Sequence, residues 1–192
     1  DKEKRFILDL VEDPIEKAVT TSLFEFLQEM LPSSHKILLN IQHRMHPVIG
    51  KFISDTFYDS DIKNGKGTIQ KILNIRSPFD KPLLFWDTSR DKNSGEKILD
   101  NGGILNALEA HLITKKILPQ LLKEETILKK DIAIVTPYKE QYKLIRSKLN
   151  NSDLSDIEVA TLDSFQGREV KIMIFSFTRS NRGFKWCAKC EN

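Results

Sequence analysis

Cysteine is scarce in this chain. Only 2 of its 192 residues are Cys, too few for a disulfide framework and in keeping with a reducing, cytoplasmic setting. Long apolar runs are missing too: none approaches the roughly 18 residues that a membrane span needs. The opening Asp1-Lys2-Glu3-Lys4-Arg5 leads into a short apolar stretch that Asp9 interrupts. That excludes a signal peptide and reads as a chain cut from something longer. No internal repeat and no low-complexity tract occurs. Charge of one sign does not dominate: 30 Lys+Arg against 27 Asp+Glu leave a net charge of +3, which permits nucleic-acid binding without demanding it. A Gly-x-x-x-x-Gly-Lys-Thr/Ser phosphate loop is absent, as is an apolar strand ending in Asp-Glu that would hold magnesium.

What is present is an ordinary globular composition, 40% hydrophobic and 30% charged, over a length that suits one domain with a substantial core. Helical spacing runs from Ile15 to Met30 and stops at Pro32. Ile37-Leu38-Leu39 suits a short buried strand. Pro47 is placed as the first residue of a helix that continues through Phe57. Residues 59 to 82 form a polar excursion with one short strand at most. Leu83-Leu84-Phe85-Trp86 reads as the next strand, and residues 88 to 103 as a loop. Ile104 to Leu118 is expected to be a helix stopped by Pro119. Ile132-Ala133-Ile134-Val135 is a buried strand, Tyr138 to Leu149 a helix with Leu144, Ile145 and Leu149 inward, Ile157-Glu158-Val159 a strand, and Val170 to Phe177 another. Continuously apolar strands alternating with helices of about 12 residues argue for an α/β domain, its mainly parallel sheet flanked by helices on both faces. In such sheets ligands gather at the carboxyl ends of the strands.

Three polar segments follow strands. In Gln42-His43-Arg44-Met45-His46-Pro47 an arginine sits in a tight turn before a proline-started helix. Its planar, permanently charged fork suits phosphate oxygens. On spacing alone the segment equally suits an Arg44–carboxylate pair with His46 capping the helix. In Thr136-Pro137-Tyr138 with Gln141, the Thr136 hydroxyl and the amides after it are suited to a nucleic-acid phosphate, or simply start a helix. In Thr161-Leu162-Asp163-Ser164-Phe165-Gln166-Gly167-Arg168-Glu169, the hydrogen-bonding groups of Thr161, Ser164 and Gln166 flank Gly167, which lets the backbone come close to a ligand.

These strings resemble the superfamily 1 helicases related to the nonsense-mediated-decay helicase and senataxin. That family carries Gln-Tyr-Arg-Met-His-Pro, then Phe-x-Ser and Phe-Tyr, where this chain has Gln42 to Pro47, Phe52-Ile53-Ser54 and Phe57-Tyr58. It carries Thr-Pro-Tyr-x-x-Gln after a strand, and Val-Asp-Ser-Phe-Gln-Gly-Arg-Glu, here Leu162 to Glu169. Its later strand ends in Arg-Ser/Ala-Asn, here Arg179-Ser180-Asn181, and its long helix carries Asn-x-x-Glu-Ala, here Asn106, Glu109 and Ala110. The Ser-Leu-Phe-Glu helix leading into the family's second motor domain corresponds to Ser22-Leu23-Phe24-Glu25. The resemblance covers about residues 13 to 181.

The resemblance implies a RecA-like domain of the P-loop NTPase type that lacks its own phosphate loop. It would be the second motor domain of a helicase, a single domain over residues 1–192. Arg44 would reach the γ-phosphate of ATP as an arginine finger. Gln42 and His43, the latter near the adenine in place of a tyrosine, would accompany it, and Gly167 and Glu169 would also approach the nucleotide. Thr136, Pro137, Tyr138, Gln141, Thr161, Ser164 and Gln166 would contact single-stranded DNA or RNA. ATP and Mg2+ would be held mainly by a first motor domain of the same polypeptide, so hydrolysis belongs to the parent protein and the isolated chain is expected to be inactive. Asn106 and Glu109 are expected to serve packing and surface contacts. One departure stands out: the helix that supplies a second phosphate-contacting arginine in the family is missing after Asn181, so the end is truncated or diverged. No metal site is assigned, and Cys187-x-x-Cys190 is at most half of a zinc site. The alternative is a non-catalytic nucleic-acid-binding or scaffold module that keeps the fold.

Overall fold

Ser22 starts the described chain by accepting a hydrogen bond from the Glu25 N–H at 3.1 Å, the usual side-chain cap for a helix's first free amides. The computed structural model describes residues 22–180 except 72, 74 and 151 and the side chain of Glu29. The first part of the helix expected from Ile15, Asn181 and the Cys187-x-x-Cys190 pair lie outside the described residues. The backbone divides into two compact units, residues 1–71 and 72–192.

In the first unit, α1 (Leu23–Met30) is followed by β1 (Ile41–Gln42), α2 (Pro47–Phe57) and β2 (Lys63–Asn64). β1 and β2 pair in parallel, Ile41 with Lys63 and Gln42 with Asn64. The strand expected at Ile37–Leu39 instead forms at Ile41–Gln42. Ile37 and Leu39 are 87% and 86% exposed, because the partner strand reaches only Lys63 and Asn64. α2 begins at Pro47 as expected. His46 caps it, its Nδ1 accepting from the Val48 N–H at 3.2 Å.

The second unit opens with β3 (Lys97–Ile98) and β4 (Ile104–Leu105), a short antiparallel pair. α3 (Ala107–Leu112), a π-helical turn (Ile113–Ile117) and α4 (Leu118–Leu121) then follow without a break. β5 (Ile132–Thr136), α5 (Lys139–Asn150), β6 (Glu158–Thr161), α6 (Leu162–Phe165) and β7 (Ile172–Phe175) complete it. Two expectations are corrected here. The helix begins only at Ala107, after Asn106, because Ile104 and Leu105 are taken up by the strand pair. Pro119 does not stop it. A proline has no N–H to give to the preceding turn, and the wider π turn just before Pro119 is the kind of local adjustment that lets a helix run on.

β6, β5 and β7 form a parallel sheet in that order. All five residues of β5 are buried. Ile132 and Ile134 join Ala110, Ile113, Ile145, Leu149 and Val159 in one core cluster, while Ala133 and Val135 pack with Ala160 and Phe165 in another. Alternate side chains of a strand point to opposite faces, so burial of both sets means cover on both sides, as a parallel strand requires. Leu83–Trp86, expected as a strand, has no strand partner among the described residues. Its side chains are 44% to 78% exposed. A short apolar run specifies burial but not a pairing edge, and here Phe85 meets Phe177 edge to face at 6.1 Å instead.

Candidate functional site

In the first unit the Arg44 turn is built by one side chain. Gln42 Oε1 accepts the N–H of Arg44 at 2.9 Å and that of Met45 at 2.7 Å. Its Nε2 donates to the Met45 carbonyl at 3.0 Å and to Asn64 Oδ1 at 2.6 Å. Three of the four hydrogen bonds of that amide hold the loop, and the fourth ties it to β2. Lys71 Nζ closes the turn from outside by donating to the Arg44 carbonyl at 2.8 Å. Gly50 makes room for the arrangement: a Cβ there would stand 2.3 Å from Asn64 Oδ1 and 2.7 Å from Gln42 Nε2. The result is an exposed Arg44 side chain on a fixed backbone, with an exposed His43 beside it.

In the second unit the carboxyl ends of β5 and β6 lie side by side, Thr136 in register with Thr161. A shallow cleft of about 500 Å³ opens there, lined among others by Pro137, Lys139, Tyr142, Thr161, Ser164 and Arg168. Thr161 and Ser164 cap α6 reciprocally. The Ser164 N–H meets Thr161 Oγ1 at 3.4 Å, and the Thr161 N–H meets Ser164 Oγ at 3.0 Å, so much of their bonding serves the loop itself. Gln166, Gly167 and Glu169 are exposed on the loop that follows. Gly167 has φ +85°, a left-handed conformation that glycine adopts without steric cost. Arg168 pairs with Glu158 at the rim.

Two of the expected contact residues point elsewhere. Thr136 is fully buried; its hydroxyl bonds Thr178 Oγ1 at 3.1 Å and lies 3.4 Å from the Tyr138 N–H. Gln141 is fully buried too. It accepts the Asn106 N–H at 2.8 Å and donates to the Asn106 carbonyl at 3.2 Å and to Ser176 Oγ at 2.9 Å. Neither side chain faces the cleft, because the segment after β7 takes up both. The Asn106-x-x-Glu109 string, read as packing and surface contact, belongs to the same buried network. Asn106 Oδ1 caps α3 by accepting the Glu109 N–H at 3.0 Å. The Glu109 carboxylate takes the Thr178 N–H at 3.0 Å on each oxygen and the Ser176 hydroxyl at 2.6 Å. Further out, Glu96 holds the Ser180 N–H at 2.9 Å and the Arg179 Nε at 3.4 Å. Burial pushes the Glu96 carboxyl up, but the Ser180 N–H, its own backbone N–H, the Ser180 hydroxyl and Arg179 together hold it below the usual range. Lys139 and Arg168, also absent from the expected contacts, are the cations of the cleft; their signal was a basic residue next to each polar string. Among the described residues no group of three or more His, Cys, Asp or Glu is placed to hold a metal, and no helix is long and apolar enough to cross a membrane.

The parallel sheet agrees with the family that comparison with known proteins shows. A family described as an AAA domain matches residues 19–188. The chain belongs to this family, as a superfamily 1 helicase domain of the nonsense-mediated-decay group. The DNA polymerase alpha-associated DNA helicase A of Schizosaccharomyces pombe is 36% identical over 171 residues, 83% of this chain and 26% of that protein. The ATP-dependent helicase upf1 of the same organism is 35% identical over 176 residues, covering 85% of this chain and 18% of itself. The ATP-dependent helicase NAM7 of Saccharomyces cerevisiae is 34% identical over 179 residues, with 86% and 18% covered. The helicase domain thus spans about a quarter or less of the length of these relatives.

Proposed function

We propose that this helicase domain is the second motor domain of an ATP-dependent helicase or translocase, both of its compact units being parts of that one domain. Arg44 is the arginine finger, presented to the γ-phosphate of ATP bound on a first motor domain of the same polypeptide. Support comes from the Gln42 clamp: the side-chain amide fixes the backbone on both sides of Arg44, so the guanidinium starts from a set origin, and a planar fork meets phosphate oxygens best when its base is preorganised. ATP, with Mg2+, supplies the phosphoryl chemistry. This chain's residues supply charge and position. His43, next to Arg44, is assigned to the base; on the loop after α6, Gly167 is assigned to the nucleotide and Glu169 to its ribose. We assign the Mg2+ ligands to the first domain.

Single-stranded nucleic acid is assigned to the cleft at the ends of β5 and β6. Pro137, Thr161 and Ser164 line it, with Lys139 and Arg168 as cations; Tyr138 and Gln166, next along the chain, are assigned to the same strand. Thr136 and Gln141 support that wall from behind rather than touching the strand. Contacts of this type go to the backbone and position without reading sequence. Names of relatives that include DNA helicase and ATP-dependent helicase agree with the reading.

The decisive experiment is ATP turnover by the full-length protein with and without single-stranded DNA and RNA, for wild type and Arg44→Ala. A charge that meets the transferring phosphoryl in the transition state acts on kcat, so Arg44→Ala should lower kcat about 10²-fold or more, with ATP binding less affected. Unchanged kcat removes Arg44 from the role. No turnover by wild type turns the reading to a non-catalytic nucleic-acid-binding module.

A further inference from the structure

Three described residues other than glycine have left-handed φ: Asp59 at 49°, Ser60 at 67° and Thr178 at 69°. The first two are exposed, and neither is β-branched. Thr178 is different on both counts. It is β-branched, for which the region is sterically unfavourable, and it is completely buried. Such a conformation persists only where its surroundings over-determine it. Here they do. Glu109 takes the Thr178 N–H on both oxygens, and Asn106 Nδ2 donates to the Thr178 carbonyl at 3.2 Å. The Thr178 hydroxyl donates to the Ser176 carbonyl at 3.4 Å and meets Thr136 Oγ1 at 3.1 Å.

Each hydroxyl has one proton. The Thr136 and Thr178 hydroxyls share one hydrogen bond at 3.1 Å, whichever of them donates, and the Thr136 oxygen also accepts from the Tyr138 N–H at 3.4 Å. The Tyr138 amide stands between Pro137 and Lys139, which line the cleft. A hydrogen-bonded chain therefore runs from the cleft wall through Thr136 and Thr178 to the segment after β7, which Glu109 anchors. Chains of this kind strengthen along their length in a buried setting.

We propose that Thr178 is a positioning residue for the nucleic-acid cleft, held in its left-handed conformation by Glu109 and Asn106 so that its hydroxyl orients Thr136 and, through it, the start of α5. This rests on the assignment of nucleic acid to that cleft. Thr178 makes no contact with the strand. Its removal acts on affinity without changing the number of phosphates neutralised.

The test uses the full-length protein, wild type and Thr178→Gly, Thr178→Ser and Glu109→Gln, with fluorescein-labelled oligothymidylate and oligouridylate at several salt concentrations. Thr178→Gly accepts the positive φ freely but loses the hydroxyl. Relief of the backbone strain offsets part of the lost side-chain contact, so the variant should fold with a melting temperature within a few degrees of wild type and weaken binding about tenfold, with the slope of log affinity against log salt unchanged. Thr178→Ser keeps the hydroxyl and should bind within about twofold of wild type. Glu109→Gln, which releases part of the anchor, should weaken binding in the same direction, and it decides the matter if Thr178→Gly does not fold. Wild-type affinity in a folded Thr178→Gly protein overturns the proposal, as does an equal loss in Thr178→Ser. A shallower salt slope in Thr178→Gly overturns it as well, since that marks a lost phosphate contact. Absence of binding by wild type overturns the cleft assignment itself, and this inference with it.

Discussion

Gln42 gives three of the four hydrogen bonds of its amide to the turn that presents Arg44, and Lys71 adds one from outside. Removing the Gln42 amide strands the N–H groups of Arg44 and Met45, and a lost hydrogen-bond partner costs about 1–3 kcal/mol where the group is partly buried. Gln42→Ala should therefore lower the melting temperature of the full-length protein by a few degrees and reduce kcat at least about tenfold, since a displaced arginine meets its phosphate badly. Gln42→Glu keeps the two acceptors but loses the donors to Met45 and Asn64, and should fall between. Thermal melts and ATPase assays on the pair check this; a Gln42→Ala protein with wild-type kcat would show that the turn holds itself. At this scale the sequence made residue types legible but not their direction. Thr136 and Gln141 stood in a polar string after a strand, as Pro137 and Tyr138 did. Nothing in the string says that the first and last turn inward. That depends on Ser176 and Thr178, some 40 residues later, and on Asn106 and Glu109, about 30 earlier. Polar groups found through tertiary contact leave no local periodicity.

Elements with their own signal were read well. β5, α5, β6 and β7 lie within a few residues of where apolar runs and helical spacing place them, because burial on both faces of a parallel strand writes a continuous apolar string. The failures share one cause. Leu83–Trp86 and Ile37–Leu39 are equally apolar but lack a described partner strand at those positions, and Pro119 is tolerated by the π turn before it. Pairing and helical adjustment belong to context rather than to composition. The weight carried by β5 can be measured: Ile134→Ala, a fully buried side chain in the central strand, should lower stability by about 2–5 kcal/mol, while Val48→Ala, half exposed on α2, should change it by about 0.5 kcal/mol or less. Denaturant unfolding of the two variants makes the comparison. The end of β7 has a pH dependence of its own. The Glu96 carboxyl is held below its ordinary range of about 4.3, so its contribution is full above that value and is lost as pH falls through the lowered one. Stability of wild type relative to Glu96→Gln should therefore shrink as pH is taken from about 5 to 3. A difference constant over that window would mean that Glu96 is not the anchor of Ser180.

On the scale of the whole molecule, the boundary between the two compact units at residues 71 and 72 falls inside the polar excursion of residues 59 to 82, where the sequence carries no mark of it. Function at this scale depends on what the chain can hold by itself. The sequence has no phosphate loop. The 192-residue chain should accordingly show no ATP turnover above background; turnover that a point change within the chain abolishes would refute this. Nucleic-acid binding by the same chain should be measurable but weak. Its net charge is only +3, and of the two cations on the cleft, Arg168 already pairs with Glu158. Each neutralised phosphate of a single strand contributes about −0.7 to the slope of log affinity against log salt. One or two such contacts give a slope no steeper than about −1.5. The remaining groups, Thr161, Ser164 and Gln166, suit contacts to the strand's backbone, which position without reading sequence, so on this assignment oligothymidylate and a mixed-sequence strand should bind within a few-fold of each other. Titration of labelled oligonucleotides at two salt concentrations reads both quantities. A slope steeper than about −4 would require cations beyond this cleft, and a hundredfold preference for one sequence would identify a base-reading surface in place of a motor's backbone track.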